Sequence, residues 1–455
     1  MSIKGEPSET ELRLKEALLE NASLRQHGED ADRLIRALGK RLVQAERDRA
    51  SLSWRLTQPV RWLQARIRGH RADTRPPVAL LPLPQSPRQP VDILFLVGCQ
   101  EGESKRYRVN NLVQGLQELG WSTRTLDAGD GWRAMVDGTR PKVVVFFRTH
   151  QGLDADHRPL LDYLKATGTL TVFDIDDYVF EPRAINGIAA IAAMLPEQRL
   201  SYEKEIAGYR AMMMQCDRAT ASTAYLADRI RELGVPAYHV TNSVNLGQRA
   251  RARAVISTLP RGTSERVRIG YFSGSRTHMR DFTACEAAVM AVLRDHPNVV
   301  LRIVGYLDLG PQWTTMLHRV EQLPFVHHLD TLDLLRECDI NLACLEEGVP
   351  FCEAKSELKF FESALVETPT IASRTPPYEA AIQDGANGYL ASSIDEWRTK
   401  LDALVRSPAL RENLGRAARE TALNLFTTRQ AVEQALEAYG LQAQVVVASP
   451  ALPRY

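Results

Sequence analysis

VDILFLVG (91–98), KVVVFFRTH (142–150) and TLTVFDIDDYVF (169–180) are the runs that decide the fold. Each opens on β-branched and aromatic residues that are apolar without alternation, as expected of strands covered on both faces in a parallel sheet. Helical periods separate them, one through Asn111–Leu119 and one around Leu160–Ala166. Strands and helices in strict turn predict an α/β fold with helices on both sides of the sheet. Working outward, the series continues with a helix near 201–215, DRATAST (217–223), a helix to Leu233 and AYHVTNSV (237–244). A first Rossmann-like domain is therefore expected over 91–250.

The alternation restarts after a connection rich in Arg, Ala and Thr (249–265). VRIGYFSG (267–274) comes first, then a helix over Phe282–Leu293, VVLRIVG (299–305), a helix near 312–322, FVHHL (325–329) as a strand, DINLACL (339–345), a helix over 356–366 and TPTIAS (368–373). These define a second Rossmann-like domain over 251–425, with 426–455 as a C-terminal helix and tail. Two such domains place a cleft between the carboxyl ends of their sheets, where α/β proteins take ligands.

Ahead of the first strand the pattern is different. Residues 1–72 are read as a helical coiled coil followed by a basic amphipathic segment. Leu14, Leu24, Ile35, Leu38, Leu42, Ala45, Leu52 and Leu56 fall on a and d positions, and Trp54 and Trp62 then sit among Arg55, Arg61, Arg66, Arg68 and Arg71. The first pattern implies self-association and the second suits an anionic membrane surface; helices packed on the catalytic body are the other readings. Residues 73–90 carry six prolines and read as an extended linker.

Composition narrows the class. The chain has 455 residues, 57 Lys plus Arg against 56 Asp plus Glu, and 44% hydrophobic residues, which fits a globular protein and gives no global attraction to nucleic acid. Its six cysteines form no C-x-x-C pair, so reduced thiols and a cytoplasmic setting are expected, with no zinc site. The opening MSIKGEPSETELRLKE lacks the order of a signal peptide, and the longest uncharged apolar stretch, Ile185–Pro196, falls well short of the roughly 20 residues a spanning helix needs. No G-x-G-x-x-G follows the first strand, no P-loop occurs, and GYFSG misplaces the serine of a nucleophile elbow. Dehydrogenase, P-loop and α/β-hydrolase chemistries are thereby disfavoured.

What remains specific is FCEAKSELKFFESALVETPTIAS (351–373), then IQDGANGYLA (382–391) and DEW (395–397). With IGYFSGSRTHMRDF (269–282), VVLRIVG and the blocks over 217–244 in order, the span 91–440 resembles the large retaining glycosyltransferase family of the two-Rossmann GT-B fold. SWRLTQPVRW after a coiled coil is similar to segments of some bacterial O-antigen, capsule and rhamnose-polymer glycosyltransferases. The resemblance implies a nucleotide-sugar donor, a glycan or lipid-linked glycan acceptor, no metal or other cofactor, and residence in the cytoplasm, peripheral at the inner face of the membrane. The same architecture serves nucleotide-sugar epimerases, and a catalytically silent scaffold is the non-enzyme alternative.

The chemistry selects residues. A departing nucleoside diphosphate needs fixed cations and helix N-termini around its phosphates. Gly274, Arg276, His278 and Arg280 occupy the loop after VRIGYFSG, and Lys355, Ser356 and Lys359 open the helix of the signature block; all are candidate donor-binding residues, with Arg280 and Lys355 as candidate catalytic cations. Glu362 matches the family glutamate that grips the ribose hydroxyls. The family's earlier glutamate falls on Ala354, with Glu353 adjacent. Asp176 and Asp177, at the end of a first-domain strand, are the candidates for hydrogen-bonding acceptor or reacting sugar, with Asp174 structural. Arg106, Tyr107 and Arg108 occupy the first strand-to-helix loop and are candidates for phosphate or an anionic acceptor.

Overall fold

The computed structural model describes residues 91–99, 103–131, 139–151, 157–185, 188–192, 194–260, 265–274 and 280–442. The expected coiled coil, basic segment and linker over 1–90 lie outside them, as do Arg276 and His278.

Two six-stranded sheets carry the fold. The first contains β1 (Ile93–Val97), β2 (Thr123–Asp127), β3 (Val143–Phe147), β4 (Leu170–Ile175), β5 (Arg218–Ala221) and β6 (Ala237–His239), in the order β2-β1-β3-β4-β5-β6. The second contains β7 (Val267–Ser273), β8 (Val299–Gly305), β9 (Val320–Leu323), β10 (Ile340–Ala343), β11 (Thr370–Ser373) and β12 (Tyr389–Ala391), in the order β12-β11-β10-β7-β8-β9. Every strand pair is parallel. The central strands β1 and β3 are buried along their whole length, which is why their sequences carry no alternation.

Strand order reverses between β1 and β3 in the first sheet and between β7 and β10 in the second. The crevices beyond those carboxyl ends are the natural ligand sites. FVHHL does not form a strand. Pro311–Arg319 winds as a 3-10 helix into β9, and helix His328–Arg336 begins within the expected strand, leaving Phe325 exposed.

The two halves are threaded together. Buried apolar side chains run from Leu226 and Tyr107 of the first half to Phe351, Phe361 and Phe426 beyond it. Helix Thr428–Ala438 then returns to the first sheet, where Ala431, Val432 and Leu436 pack with Leu112 and Leu116. Gly115 permits that approach, since a Cβ there would lie 2.4 Å from Thr428 Cγ2 and 2.7 Å from Val432 Cγ2. Chain crossings at Val244 and Phe426–Thr428 run side by side, joined by Val244 N–H donating to Phe426 O at 2.8 Å and Thr428 Oγ1 donating to Val244 O at 2.9 Å.

Candidate active site

At the first switch point the backbone is tightly drawn. Gly98 follows β1, and a Cβ on it would meet Arg148 O at 2.2 Å, so only glycine fits. Arg148, directly after β3, holds φ at +40°, a conformation costly for a residue with a side chain. That turn aims its guanidinium at the end of β4: Nε donates to Asp176 Oδ1 at 2.5 Å and Nη2 to Asp177 Oδ2. Asp176 and Asp177 thus follow the carboxyl end of β4, gripped by one arginine. Burial pushes the Asp176 carboxyl above its usual range, with the Arg148 charge opposing the rise and Asp177 adding to it.

Arg108 requires a correction. The chain makes a π-helical turn over Arg106–Asn110 before helix Asn111–Glu118, which rotates Arg108 into the interior, where it is 1% exposed. Its Nε and Nη2 donate to the two oxygens of Asp174 at 3.0 and 2.7 Å, and Nη1 donates to Val240 O and to Asn242 Oδ1. Thr220 Oγ1 donates to Asp174 Oδ2 at 2.6 Å. Arg108 is a buried strut tying β4 to the segment after β6, and is not presented to phosphate or acceptor. Asp174 is structural, as the sequence indicates.

The second switch point gathers the signature block. Lys355 Nζ lies 3.4 Å from Asp281 Oδ2 and 4.8 Å from the Phe351 ring centre. Asp281, 2% exposed, also accepts from Glu346 N and Cys352 Sγ. Helix Leu358–Leu365 points Lys359 inward, with Nζ 4.8 Å above the ring of Tyr271 on β7. That ammonium is buried and has no hydrogen-bond partner among the described residues. Burial lowers its pKa, with Cys344 and Asp281 opposing the fall and Lys355 reinforcing it. A buried ammonium lacking a partner is a standing cost that an anion placed beside it would relieve. Glu357, ahead of the same helix, is 6% exposed, and burial pushes its carboxyl up to about 7.

Arg280 is exposed and paired with Glu346 at 2.9 Å. Among the described candidate cations, Arg280 and Lys355 thus rest against carboxylates, and Lys359 alone has an orphaned head group. Gly274 opens onto unfilled space, since a Cβ there meets nothing within 4 Å. Ala354 is wholly buried, its carbonyl accepting from Thr223 Oγ1 at 3.3 Å, which leaves no room there for the earlier family glutamate. Burial raises the adjacent Glu353 carboxyl, a Gly348 backbone hydrogen bond opposes it, and the like charges of Glu347 and Glu379 add to the rise.

Across the junction, Ser356 Oγ accepts from Asn242 Nδ2 at 2.9 Å, and Glu362 Oε1 accepts from the hydroxyl of Tyr107 with Arg106 Nη2 at 3.5 Å. Three residues of consequence escape sequence reasoning. Arg148 stands one place beyond a β-strand, a position that marks ligand sites in parallel sheets. Asp281 adjoins Arg280 in the RTHMRDF loop, and Glu357 lies within the signature block.

Comparison with known proteins bears on the fold and on the second half. No curated protein matches the chain. Residues 280–437, which hold Lys355, Lys359 and Glu362, match the family model described as glycosyl transferase-like. Three solved structures share the fold. HepE from Anabaena, crystallised with UDP, is 13% identical over 77% of this chain and 100% of its own, with a TM-score of 0.51. Sucrose-phosphate synthase from Thermosynechococcus elongatus is 15% identical over 78% and 98%, at 0.52. The catalytic domain of starch synthase IV from Arabidopsis thaliana, bound to ADP and acarbose, is 10% identical over 77% and 99%, at 0.53. The paired Rossmann-like sheets expected from the sequence are thus the GT-B architecture, and the stretch bearing the second-domain candidates is glycosyl transferase-like.

Proposed function

We propose that the protein transfers a sugar from a nucleotide-sugar donor to a growing bacterial surface polysaccharide of the O-antigen or capsule type, carried on a lipid at the inner face of the cytoplasmic membrane. The observation that carries this reading is the ammonium of Lys359, buried at the second switch point inside the glycosyl transferase-like segment with no hydrogen-bond partner among the described residues. Lys359, with Lys355 beside it, supplies the positive field a leaving diphosphate needs. Glu362 offers a carboxylate to ribose hydroxyls, and Asp176 with Asp177 offers acceptor oxygens to the incoming glycan.

The reaction retains the anomeric configuration and needs no metal. The bond from the anomeric carbon to the diphosphate oxygen breaks, a bond from that carbon to the acceptor oxygen forms on the same face, and the hydroxyl proton passes to the departing phosphate. No protein base is required. The segment over 1–72 supplies self-association and contact with the membrane surface.

Mass spectrometry of products from a panel of nucleotide sugars and lipid-linked acceptors, with chelator present, tests the whole statement. Transfer to a lipid-linked glycan with the anomeric configuration kept is the expected result. A new sugar nucleotide formed without acceptor would establish an epimerase instead, and absence of nucleotide binding would establish a scaffold. Deleting residues 1–72 is expected to reduce membrane recovery and oligomer size while sparing donor hydrolysis.

A further inference from the structure

Glu362 is held in an unusual way. Tyr107, 3% exposed, donates its hydroxyl to Glu362 Oε1 and accepts from Gln248 Nε2 at 3.3 Å, so the direction of the proton is fixed. Its ring packs edge-on to Phe361 at 5.9 Å. The Arg106 guanidinium lies 4.0 Å over that ring, with Nη2 3.5 Å from the same Oε1 and Nε donating to Glu103 at 2.5 Å. One oxygen of Glu362 is thereby anchored by a hydrogen bond and an ion pair from the first half, while Oε2 accepts no hydrogen bond among the described residues. Beside it, Arg106 Nη1 is buried with no hydrogen-bond partner among the described residues.

An open carboxylate oxygen next to an unsatisfied cationic N–H is the complement of a ligand carrying a hydroxyl close to an anionic oxygen. A nucleoside diphosphate presents that pair in its ribose and phosphate. We propose that Tyr107 and Arg106 are positioning residues for the nucleotide: they fix the rotation of Glu362 and add a cationic donor, so that the donor site of the second half is completed by the first. The inference rests on the donor-transfer reading above. Anchoring the carboxylate beforehand spares the ligand the cost of ordering it.

The test is calorimetric titration of UDP, ADP and GDP into full-length wild type, Y107F, R106Q, E362Q and Y107F/E362Q, with thermal unfolding of each. The tightest diphosphate is expected to bind about tenfold more weakly to Y107F and to R106Q, the scale of one hydrogen bond to a charged group. Y107F is expected to have no further effect in the E362Q background, because it acts through Glu362. A purely structural role would lower the unfolding temperature and keep its effect in that background, which overturns the proposal. So would Y107F binding as well as wild type, or more tightly, and in those cases the transferase reading survives. Failure of wild type to bind any of the three would overturn both.

Discussion

Replacing Arg108 with methionine separates a strut from a ligand-binding arginine. Arg108 and Asp174 are each 1% exposed, and the arginine side chain makes four hydrogen bonds, to Asp174, Val240 and Asn242. In R108M, Asp174 keeps its hydrogen bond from Thr220 and loses both charge-assisted ones. An ion left buried without its partner costs roughly 3–5 kcal/mol, and at about 1.4 °C per kcal/mol for a folded part that runs from 91 to 442 the melting temperature should fall by roughly 4–7 °C. Scanning fluorimetry or calorimetry reads the shift directly. R108M/D174L, which removes both charges, is expected to be less destabilised than R108M. A melting temperature within about one degree of wild type, together with weakened nucleotide binding, would refute the strut and return Arg108 to the site.

Arg148 should govern the acid side of any pH–rate profile. Asp176 must be ionised to accept from a hydroxyl, burial already raises its pKa, and the Arg148 charge opposes that rise; in R148Q the acid limb should move up by about 1–3 units, and an unmoved limb would remove Asp176 from turnover. Glu357 gives a pH-dependent stability. Its carboxyl rises from 4.5 to about 7 on folding, so the folded state holds the extra proton and stability declines as pH climbs through that window, by roughly 3 kcal/mol. Denaturant titrations of wild type and E357Q should diverge accordingly, and parallel curves would contradict the burial argument. K359M should stabilise the ligand-free protein by about 1–3 kcal/mol, because the ammonium has no hydrogen-bond partner among the described residues, while weakening diphosphate binding; a fall in melting temperature would show that its contact with the Tyr271 ring already satisfies it.

Strands buried on both faces were legible because their sequences have no choice but to be apolar: Ile93–Val97 and Val143–Phe147 are buried at every position. The edge strands β2 and β9 were not. β2 is TRTLD, with no buried residue, so nothing in its composition separates it from a loop. At the other edge the apolar Phe325–Val326 pair drew the expected strand to FVHHL, although β9 needs little burial and forms earlier from VEQL. The site divides in the same manner. Lys359 and Glu362 stand three apart on one helix, a spacing sequence alone can read. Arg148 could not be given its role, since its reach to Asp176 and Asp177 follows from the register that sets Phe147 beside Asp174 across β3 and β4. The inward turn of Arg108 depends on a π-helical turn whose sequence, RYRVN, does not announce which arginine faces the interior.

The paired crossings at Val244 and Phe426–Thr428 make the second half an insertion within the first, because helix Thr428–Ala438 completes the first half's own core. A single connecting strand would let one body swivel freely about it. Two strands laced by hydrogen bonds resist twisting and leave bending about one line as the easy motion, as a door leaf on two pins has one degree of freedom. A protease cut at either crossing alone would leave both bodies joined, and a truncation before residue 428 would strip the wrong half.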